Sequence, residues 1–378
     1  MRGFRRGAAV AGMAAVILDA AVLPAASIEQ VVTIAAAGDI MMGSNYPHDG
    51  LPPDGGAGLF AAVAPILRSA DIAFGNLEGT LTRTGSSTKD ISTGRAYAFR
   101  TPPDYAVHLQ AAGFDVMSLA NNHIGDFGLE GVAATEAALV GHGIGFASKR
   151  GEVPVLHVRG VSIGFIGADT YGASRNIVDP APLLAEIAGV AATVDILVIS
   201  VHAGAEGAGA LHIRDAVETF HGENRGNLVA FSRDAVEAGA DLVLGHGPHV
   251  PRGMEIHQGR LIAYSLGNFC NYRGFNLTGP MGLAPLLDVR LAADGRLLGG
   301  TVHSFRQTPP GGPVADPDGA AAGLIASLSR EDFPASAPLF HADGRFAPPP
   351  QETPLVALPA EVIVARNDGR RRRPIPAG

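Results

Sequence analysis

Five short apolar stretches of this chain each end in polar residues that can bind a metal ion or carry a proton. The stretches cover residues 31–37, 72–74, 116–120, 196–201 and 242–244. The polar groups that follow them, in order, are Gly38-Asp39, Gly75-Asn76-Leu77-Glu78, Asn121-Asn122-His123, His202 and Gly245-His246-Gly247-Pro248-His249. Because sites in α/β folds form at the carboxyl ends of strands, we expect these five ends to build one site.

Helix-like and strand-like segments alternate along the rest of the chain. Apolar spacing predicts helices over residues 59–69, 104–112, 129–140, 183–192, 228–238 and 325–332. Pairs of apolar segments around short turns predict three hairpins, over residues 153–158 with 161–166, 254–257 with 261–264, and 286–291 with 297–304. Parallel βα units mixed with hairpins predict an α/β fold with two mixed sheets, or one, and helices outside.

Changes in amino-acid composition along the chain predict its domain organisation. Arg2, Arg5 and Arg6 precede an apolar stretch and then small residues, which is the order of a signal peptide. We expect residues 1–27 to be a signal peptide or an N-terminal anchor, which implies a periplasmic or extracellular protein. One folded domain is expected over residues 31–306, with a C-terminal extension over 307–346. Residues 347–378 are rich in Pro and Arg and predict a flexible tail.

Composition excludes some classes of function. The chain has 378 residues and a formal net charge of −8, which argues against a nucleic-acid partner, since such binding depends on phosphate neutralisation. Its single cysteine, Cys270, is expected to be a small buried side chain rather than a catalytic thiol. One sulfur cannot supply a thiolate zinc site, so any metal must be bound by nitrogen and oxygen.

Two of the polar groups carry the most specific signal. His246 and His249 stand three residues apart in a turn stiffened by Gly and Pro, so both rings can approach one cation. Asp126 follows His123 by three residues and is placed to orient its ring.

The same motifs, in the same order, resemble the capsule-synthesis CapA family, whose best-known members serve poly-γ-glutamate production. The resemblance runs from about residue 33 to residue 291. It rests also on Phe99-Arg100-Thr101-Pro102-Pro103 and Tyr264-Ser265-Leu266-Gly267-Asn268-Phe269. That family is in turn similar to the calcineurin-type metallophosphoesterases, which bind two metals through five strand-end loops. The resemblance implies a four-layer α/β/β/α sandwich.

The resemblance to those phosphoesterases also implies residue roles. Asp39 matches their first Asp, Asn122 their metal-binding Asn, and His123 the His that steadies or protonates the leaving group. The histidine ligands match at His202, His246 and His249. Two departures are visible: Asp39-Ile40-Met41 stands where those enzymes have Asp-x-His, and Gly75-Asn76-Leu77-Glu78 where they have Gly-Asp. The sequence is compatible with a site for one cation and with a site for two.

We therefore expect one or two divalent cations, Zn, Mn or Fe, bound by six residues. The expected ligands are Asp39, Glu78, Asn122, His202, His246 and His249. His123, held by Asp126, is the expected general acid. The candidates to hold an anionic substrate are Asn76, Arg100, Tyr264, Ser265 and Asn268.

Two functional hypotheses follow. The first is a metal-dependent hydrolase or transferase that acts on an acidic extracellular polymer or a small anionic substrate, with a phosphoester as the alternative target. The second is a non-catalytic assembly or export factor that binds the polymer, in contact with membrane-bound components of capsule synthesis. The negative net charge suits a polyanion only if the metal and Arg100 supply the local field.

Overall fold

The computed structural model of the protein describes residues 30–94 and 96–350. The predicted signal peptide or anchor and nearly all of the predicted tail lie outside those residues. None of the helices in the described part of the chain combines the length and the hydropathy that a membrane span requires.

Strands and helices alternate through most of the fold. The strands are β1 (Val31–Met41), β2 (Ile72–Leu77), β3 (Thr80–Leu81), β4 (Arg100–Thr101), β5 (Val116–Ser118), β6 (Gly145–Ala147), β7 (Val155–Val158), β8 (Val161–Asp169), β9 (Ile196–His202), β10 (Thr219–Phe220), β11 (Glu223–Asn224), β12 (Leu242–His246), β13 (Met254–His257), β14 (Arg260–Ala263), β15 (Asn268–Asn271), β16 (Leu283–Ala292), β17 (Leu297–Gln307), β18 (Pro313–Ala315), β19 (Leu339–Phe340) and β20 (Arg345–Ala347). The α-helices are α1 (Ala64–Leu67), α2 (Ala106–Ala112), α3 (Gly128–Gly141), α4 (Ala181–Ala191), α5 (Leu228–Glu237) and α6 (Ala320–Asp332).

These strands form two large mixed sheets. The larger has the order β19-β20-β17-β16-β1-β2-β5-β6, with β15 beside β1 and β18 beside β17. Its β1 pairs parallel with β2 and antiparallel with β16. The smaller has the order β13-β14-β12-β9-β8-β7, and β9 is parallel to both of its neighbours. The prediction of an α/β fold with two mixed sheets is confirmed.

Three apolar clusters lie between the layers of the fold and pack them together. One joins side chains of both sheets, such as Ile34 of β1 and Val198 of β9. A second joins the other face of the larger sheet to α2 and α3, and the third joins the smaller sheet to α4 and α5. This distribution is what an α/β/β/α sandwich requires, because each sheet buries one face against the other sheet and one against helices.

All three predicted hairpins are present, as β7–β8, β13–β14 and β16–β17. The helix predicted over residues 59–69 is wrong in extent. Most of that segment forms turns, and only Ala64–Leu67 is α-helical. Pro65 lies in the first turn of this helix and has no amide hydrogen, which prevents a longer helix from continuing through it. Cys270 is fully buried, as expected.

Two glycines allow the ends of β1 and β12 to pack closely against one loop. A Cβ atom on Gly38 would lie 2.1 Å from the carbonyl oxygen of Gly267, and one on Gly245 would lie 2.1 Å from that of Tyr264. The backbone amide of Asp39 donates to Gly267, and that of Leu266 donates to Gly245. The motif Tyr264-Ser265-Leu266-Gly267 therefore supports both strand ends through its backbone.

The close approach at Gly245 generates a stability prediction. Gly245→Ala should lower the free energy of unfolding by about 1–3 kcal/mol, since the new methyl group would overlap backbone atoms that cannot rotate away. Gly323→Ala in α6 is the matched control, because no atom of the described residues outside the helix's own backbone lies within 4 Å of its added Cβ. That change should raise stability by about 0.5–1 kcal/mol through helix propensity. Urea unfolding of the two variants measures both effects, and equal stabilities would contradict the packing argument.

Candidate metal centre

Strand ends from both sheets meet at one place. In the larger sheet Asp39 of β1 is aligned with Asn76 of β2, and in the smaller His202 of β9 is aligned with His246 of β12. The sheets touch here, since His246 Nδ1 lies 3.4 Å from Asp39 Oδ1. The expected convergence of distant strand ends is therefore present for these four residues.

His249 lies between two buried carboxylates. Its Nδ1 is 3.1 Å from Asp39 Oδ2, and its Nε2 is 3.6 Å from Glu78 Oε1. Glu78 Oε1 is also 3.7 Å from His202 Nε2. Asp39, Glu78 and His249 each offer one ligand atom, and these three atoms lie within 4.8 Å of one another. Ligands of a single cation, or of two adjacent cations, need this kind of spacing.

Several buried polar atoms in these strand-end segments have no hydrogen-bond partner among the described residues. They are both carboxylate oxygens of Glu78, Nε2 of His202, both ring nitrogens of His246 and Oδ1 of Asn122. Unpaired buried polar atoms cost free energy, and mixed nitrogen and oxygen donors suit a borderline divalent cation. The residues present therefore fit the expected Zn, Mn or Fe.

The protonation of the metal-free site reflects its crowded charges. Burial raises the pKa of Glu78 well above its usual value, although His249 opposes that rise. Burial would likewise raise the pKa of Asp39, but the His246 and His249 rings beside it hold that pKa below its usual range. Burial would lower the pKa of His249, but Glu78, Asp39 and Glu206 raise it to about 10. A proton on His249 thus balances part of the negative charge.

The backbone of His249 is strained. Its φ angle is +58°, in the left-handed region that residues other than glycine seldom adopt. Strain of this kind costs about 1–3 kcal/mol and persists where the surroundings require it. Here it turns the ring so that Nδ1 lies 3.1 Å from both Asp39 Oδ2 and Asn268 Oδ1.

His123 lies in a second polar group next to the first. Its Nδ1 is 2.8 Å from Asp126 Oδ2, as the sequence spacing suggested, and 3.1 Å from Lys89 Nζ. Lys89 Nζ is also 2.7 Å from Asp126 Oδ1. Burial lowers the pKa of His123, although Asp126 opposes that shift. The Phe99 ring packs on the imidazole at 4.5 Å between centroids, so the ring is fixed from several sides.

Asparagines connect the two groups. Asn76 Nδ2 donates to Asp39 Oδ1 at 2.8 Å and lies 3.4 Å from His202 Nδ1. Asn121 Nδ2 donates to Asn76 Oδ1, and Asn121 Oδ1 accepts the backbone amide of His123. Asn76 is thus placed to orient expected ligands rather than to contact a substrate first.

The other expected substrate residues are distributed differently. Asn268 contacts His249, as described above. The Nε of Arg100 donates to Asn45 Oδ1, and its guanidinium lies over the Tyr46 and Phe127 rings. The side chains of Tyr264 and Ser265 also point elsewhere. Tyr264 donates to Glu255 and stacks on Phe333, and Ser265 Oγ accepts the amide of Gly267. The described side-chain contacts of Arg100, Tyr264 and Ser265 are thus with residues other than the expected ligands, and their role in substrate binding stays a prediction.

A cavity of about 450 Å³ is lined by Phe99, whose ring also packs on His123, and none of the expected metal ligands is among its lining residues. Met41, Tyr97, Phe99 and Arg273 contribute to its wall. The ring of Phe99 separates this cavity from His123 and packs against Phe275 at 5.1 Å between centroids. The cavity therefore lies beyond Phe99 as seen from His123, rather than within the metal centre.

Three residues near the site were not singled out by the sequence analysis. Lys89 comes from a polar loop whose composition carries no site signal. Glu206 and Arg225 come from the Gly/Ala-rich segment after β9, where Glu206 stands four residues after His202. In the sequence, the short spacing between His202 and Glu206 is the one signal that could have pointed to Glu206 as a site residue.

Comparison with known proteins now places the chain in a family. The sequence model of the bacterial capsule synthesis protein PGA_cap matches residues 33–273, which is more than half of the chain. The chain belongs to this family. The resemblance to the capsule-synthesis CapA family is thereby confirmed.

Individual relatives carry related descriptions. The PGA biosynthesis protein CapA of Bacillus subtilis (strain 168) is 27% identical over 267 residues, which cover 66% of this chain and 66% of that protein. The capsule biosynthesis protein CapA of Bacillus anthracis is 28% identical over 267 residues, covering 65% and 61%. The match thus spans less than two thirds of the length of either relative.

Similarity to solved structures is weaker. A 5'-nucleotidase precursor from Thermus thermophilus aligns with a TM-score of 0.40 and 14% identity, over 80% of this chain and 59% of that one. Likeness at this level says nothing about activity.

The protonation of the site predicts how cation binding depends on pH. His249 carries a proton at neutral pH in the metal-free protein, because its pKa is about 10, and the ring must lose that proton to bind a cation through Nε2. Cation affinity should therefore rise with pH until the pH reaches the His249 pKa of about 10, and below that pH about one proton should be released from His249 per ion. Calorimetric titration with Zn²⁺ or Mn²⁺ in buffers of different ionisation enthalpy measures this release. Binding without proton release would contradict the assignment of His249.

Proposed function

We propose that this protein is a metal-dependent hydrolase or transferase that acts on an acidic polymer outside the cytoplasm, in capsule or poly-γ-glutamate biosynthesis. The observation that carries the enzymatic part is the group of buried nitrogen and oxygen atoms at the strand ends that have no hydrogen-bond partner within the described part of the chain. Membership of the capsule synthesis family and the descriptions of the two CapA relatives support the biosynthetic context.

The proposed ligands are Asp39, Glu78, Asn122, His202, His246 and His249. A divalent cation held by them would activate a water molecule and polarise the carbonyl or phosphoryl oxygen under attack.

His123 is the proposed proton carrier. Asp126 and Lys89 both occupy its Nδ1 side, which leaves Nε2 as the nitrogen that can exchange a proton with the leaving group. Asp126 is fixed in turn by the backbone amide of Phe99, which donates to its Oδ2 at 2.8 Å. The roles of Asp126 and Lys89 are to hold the ring and to set its charge.

An anionic substrate suits the surroundings in spite of the negative net charge. The cation, Lys89 with a quarter of its side chain exposed, and the exposed Arg273 at the cavity supply local positive charge. A γ-linked polyglutamate, or a related acidic polymer handled together with membrane-bound synthesis components, is the substrate class that the family context favours.

The test measures metal content and turnover together. We expect purified protein to bind Zn, Mn or Fe and to cleave or transfer polyglutamate, and His249→Ala to lose both properties by at least about tenfold. His341→Ala is the matched control, because His341 is exposed and belongs to the C-terminal part of the fold. Metal analysis by mass spectrometry and chromatography of polyglutamate chain length are the readouts.

Other outcomes separate the alternatives. Turnover of a chromogenic phosphodiester but not of polyglutamate would make the protein a phosphoesterase and would overturn the substrate class. Polymer binding without turnover, retained in His249→Ala, would indicate a non-catalytic assembly or export factor.

A further inference from the structure

Glu206 is a third carboxylate that faces His249. Its Oε2 lies 3.9 Å from His249 Nε2, the same nitrogen that lies 3.6 Å from Glu78 Oε1. His249 thus has two carboxylates on its Nε2 side, while Asp39 and Asn268 lie on its Nδ1 side. This is the arrangement in which one ring nitrogen binds a cation and the other is oriented by hydrogen bonds.

The backbone around Glu206 fixes its position relative to His249. The amide of Gly207 donates to the carbonyl of Pro248, the residue just before His249, at 2.9 Å. On the other side, the amide of Gly204 donates to the carbonyl of Arg225 at 2.9 Å. Glu206 is therefore held between the histidine turn and the segment that carries Arg225.

Arg225 fixes the carboxylate itself. Its Nη2 donates to Glu206 Oε1 at 2.7 Å, and its side chain is only 2% exposed. The guanidinium lies over the Tyr171 ring at 5.3 Å and the Phe220 ring at 5.8 Å, so aromatic faces enclose it. With one oxygen of Glu206 occupied by Arg225, the other oxygen lies 3.9 Å from His249 Nε2.

We propose that Glu206 supplies a further oxygen ligand to the cation of this centre and that Arg225 is its positioning residue. The proposal rests on the cation of the proposed function. Two ligands at about 2.1 Å from one ion lie roughly 3–3.5 Å apart. The distance of 3.6 Å from His249 Nε2 to Glu78 is close to that separation, and the distance of 3.9 Å to Glu206 would have to shorten by roughly 0.4–0.9 Å. Arg225 holds Glu206 through Oε1, so Oε2 is the oxygen of Glu206 that is left to bind the cation.

The test compares Glu206→Gln with Glu223→Gln. Glu223 also approaches Arg225, with 3.7 Å from its Oε2 to Nη1, but its side chain is 58% exposed, and no described contact joins it to His249. We expect Glu206→Gln to weaken Zn²⁺ binding by about tenfold or more in a chelator competition assay, and Glu223→Gln to stay within about twofold of wild type. Arg225→Lys keeps the charge but loses the planar fork, and should weaken binding by about tenfold.

A spectroscopic readout separates a ligand from a distant charge. The visible absorption of Co²⁺ bound in place of Zn²⁺ reports the number and geometry of its ligands, so Glu206→Gln should change the band intensities and Glu223→Gln should leave them as in wild type. Weaker Zn²⁺ binding with an unchanged Co²⁺ spectrum would show that Glu206 acts only through its charge and would overturn the ligand assignment. Unchanged affinity in a folded Glu206→Gln protein would overturn it as well.

Failure of this inference can be distinguished from failure of the proposed function. If wild-type protein binds no divalent cation, the proposed function itself is wrong. If wild type binds the cation and loses it in His249→Ala, but Glu206→Gln binds as wild type does, only the role of Glu206 is wrong. Circular dichroism of each variant checks that the compared proteins are folded.

Discussion

The burial of two carboxylates beside several imidazoles is the constraint on which the rest of this site depends. Asp39 and Glu78 have no exposed surface, and transferring an ionised carboxylate from water costs several kcal/mol unless other charges compensate it. A proton on His249 compensates part of that charge in the metal-free protein, while the raised pKa of Glu78 indicates that the remainder is not compensated. A divalent cation would resolve this imbalance, which is why we interpret the site as a metal centre.

The residues around the centre hold the buried carboxylates in position. Neutral amides, Asn76 and Asn121, connect Asp39 to the His123 turn through hydrogen bonds and add no further charge. Gly38 and Gly245 let two strand ends approach one loop so closely that no side chain would fit. Rigid elements of this kind hold ligands in place better than mobile loops can, because little conformational entropy remains to be lost on binding.

The surroundings of His123 differ from those of the metal centre. Phe99 packs on His123, and Phe275 packs on both Phe99 and His249, so aromatic rings cover one side of the polar groups. Burial lowers the effective dielectric constant, so the positive charge of Lys89 acts more strongly on a bound anion there than it would in bulk solvent. The same enclosure explains why burial has the largest effect on the pKa of His123.

The sequence by itself determined the α/β class, the three hairpins and the strand ends that carry Asp39, Asn76, His202 and His246, because apolar periodicity and turn residues are local signals. Only the tertiary structure decided which polar side chains reach the centre. Tyr264 and Ser265 stand in a conspicuous motif yet serve through their backbone, whereas Lys89, Glu206 and Arg225 arrive from loops whose composition is ordinary. Side-chain direction there is set by contacts with distant segments, such as Gly207 with Pro248, and no local pattern records such contacts.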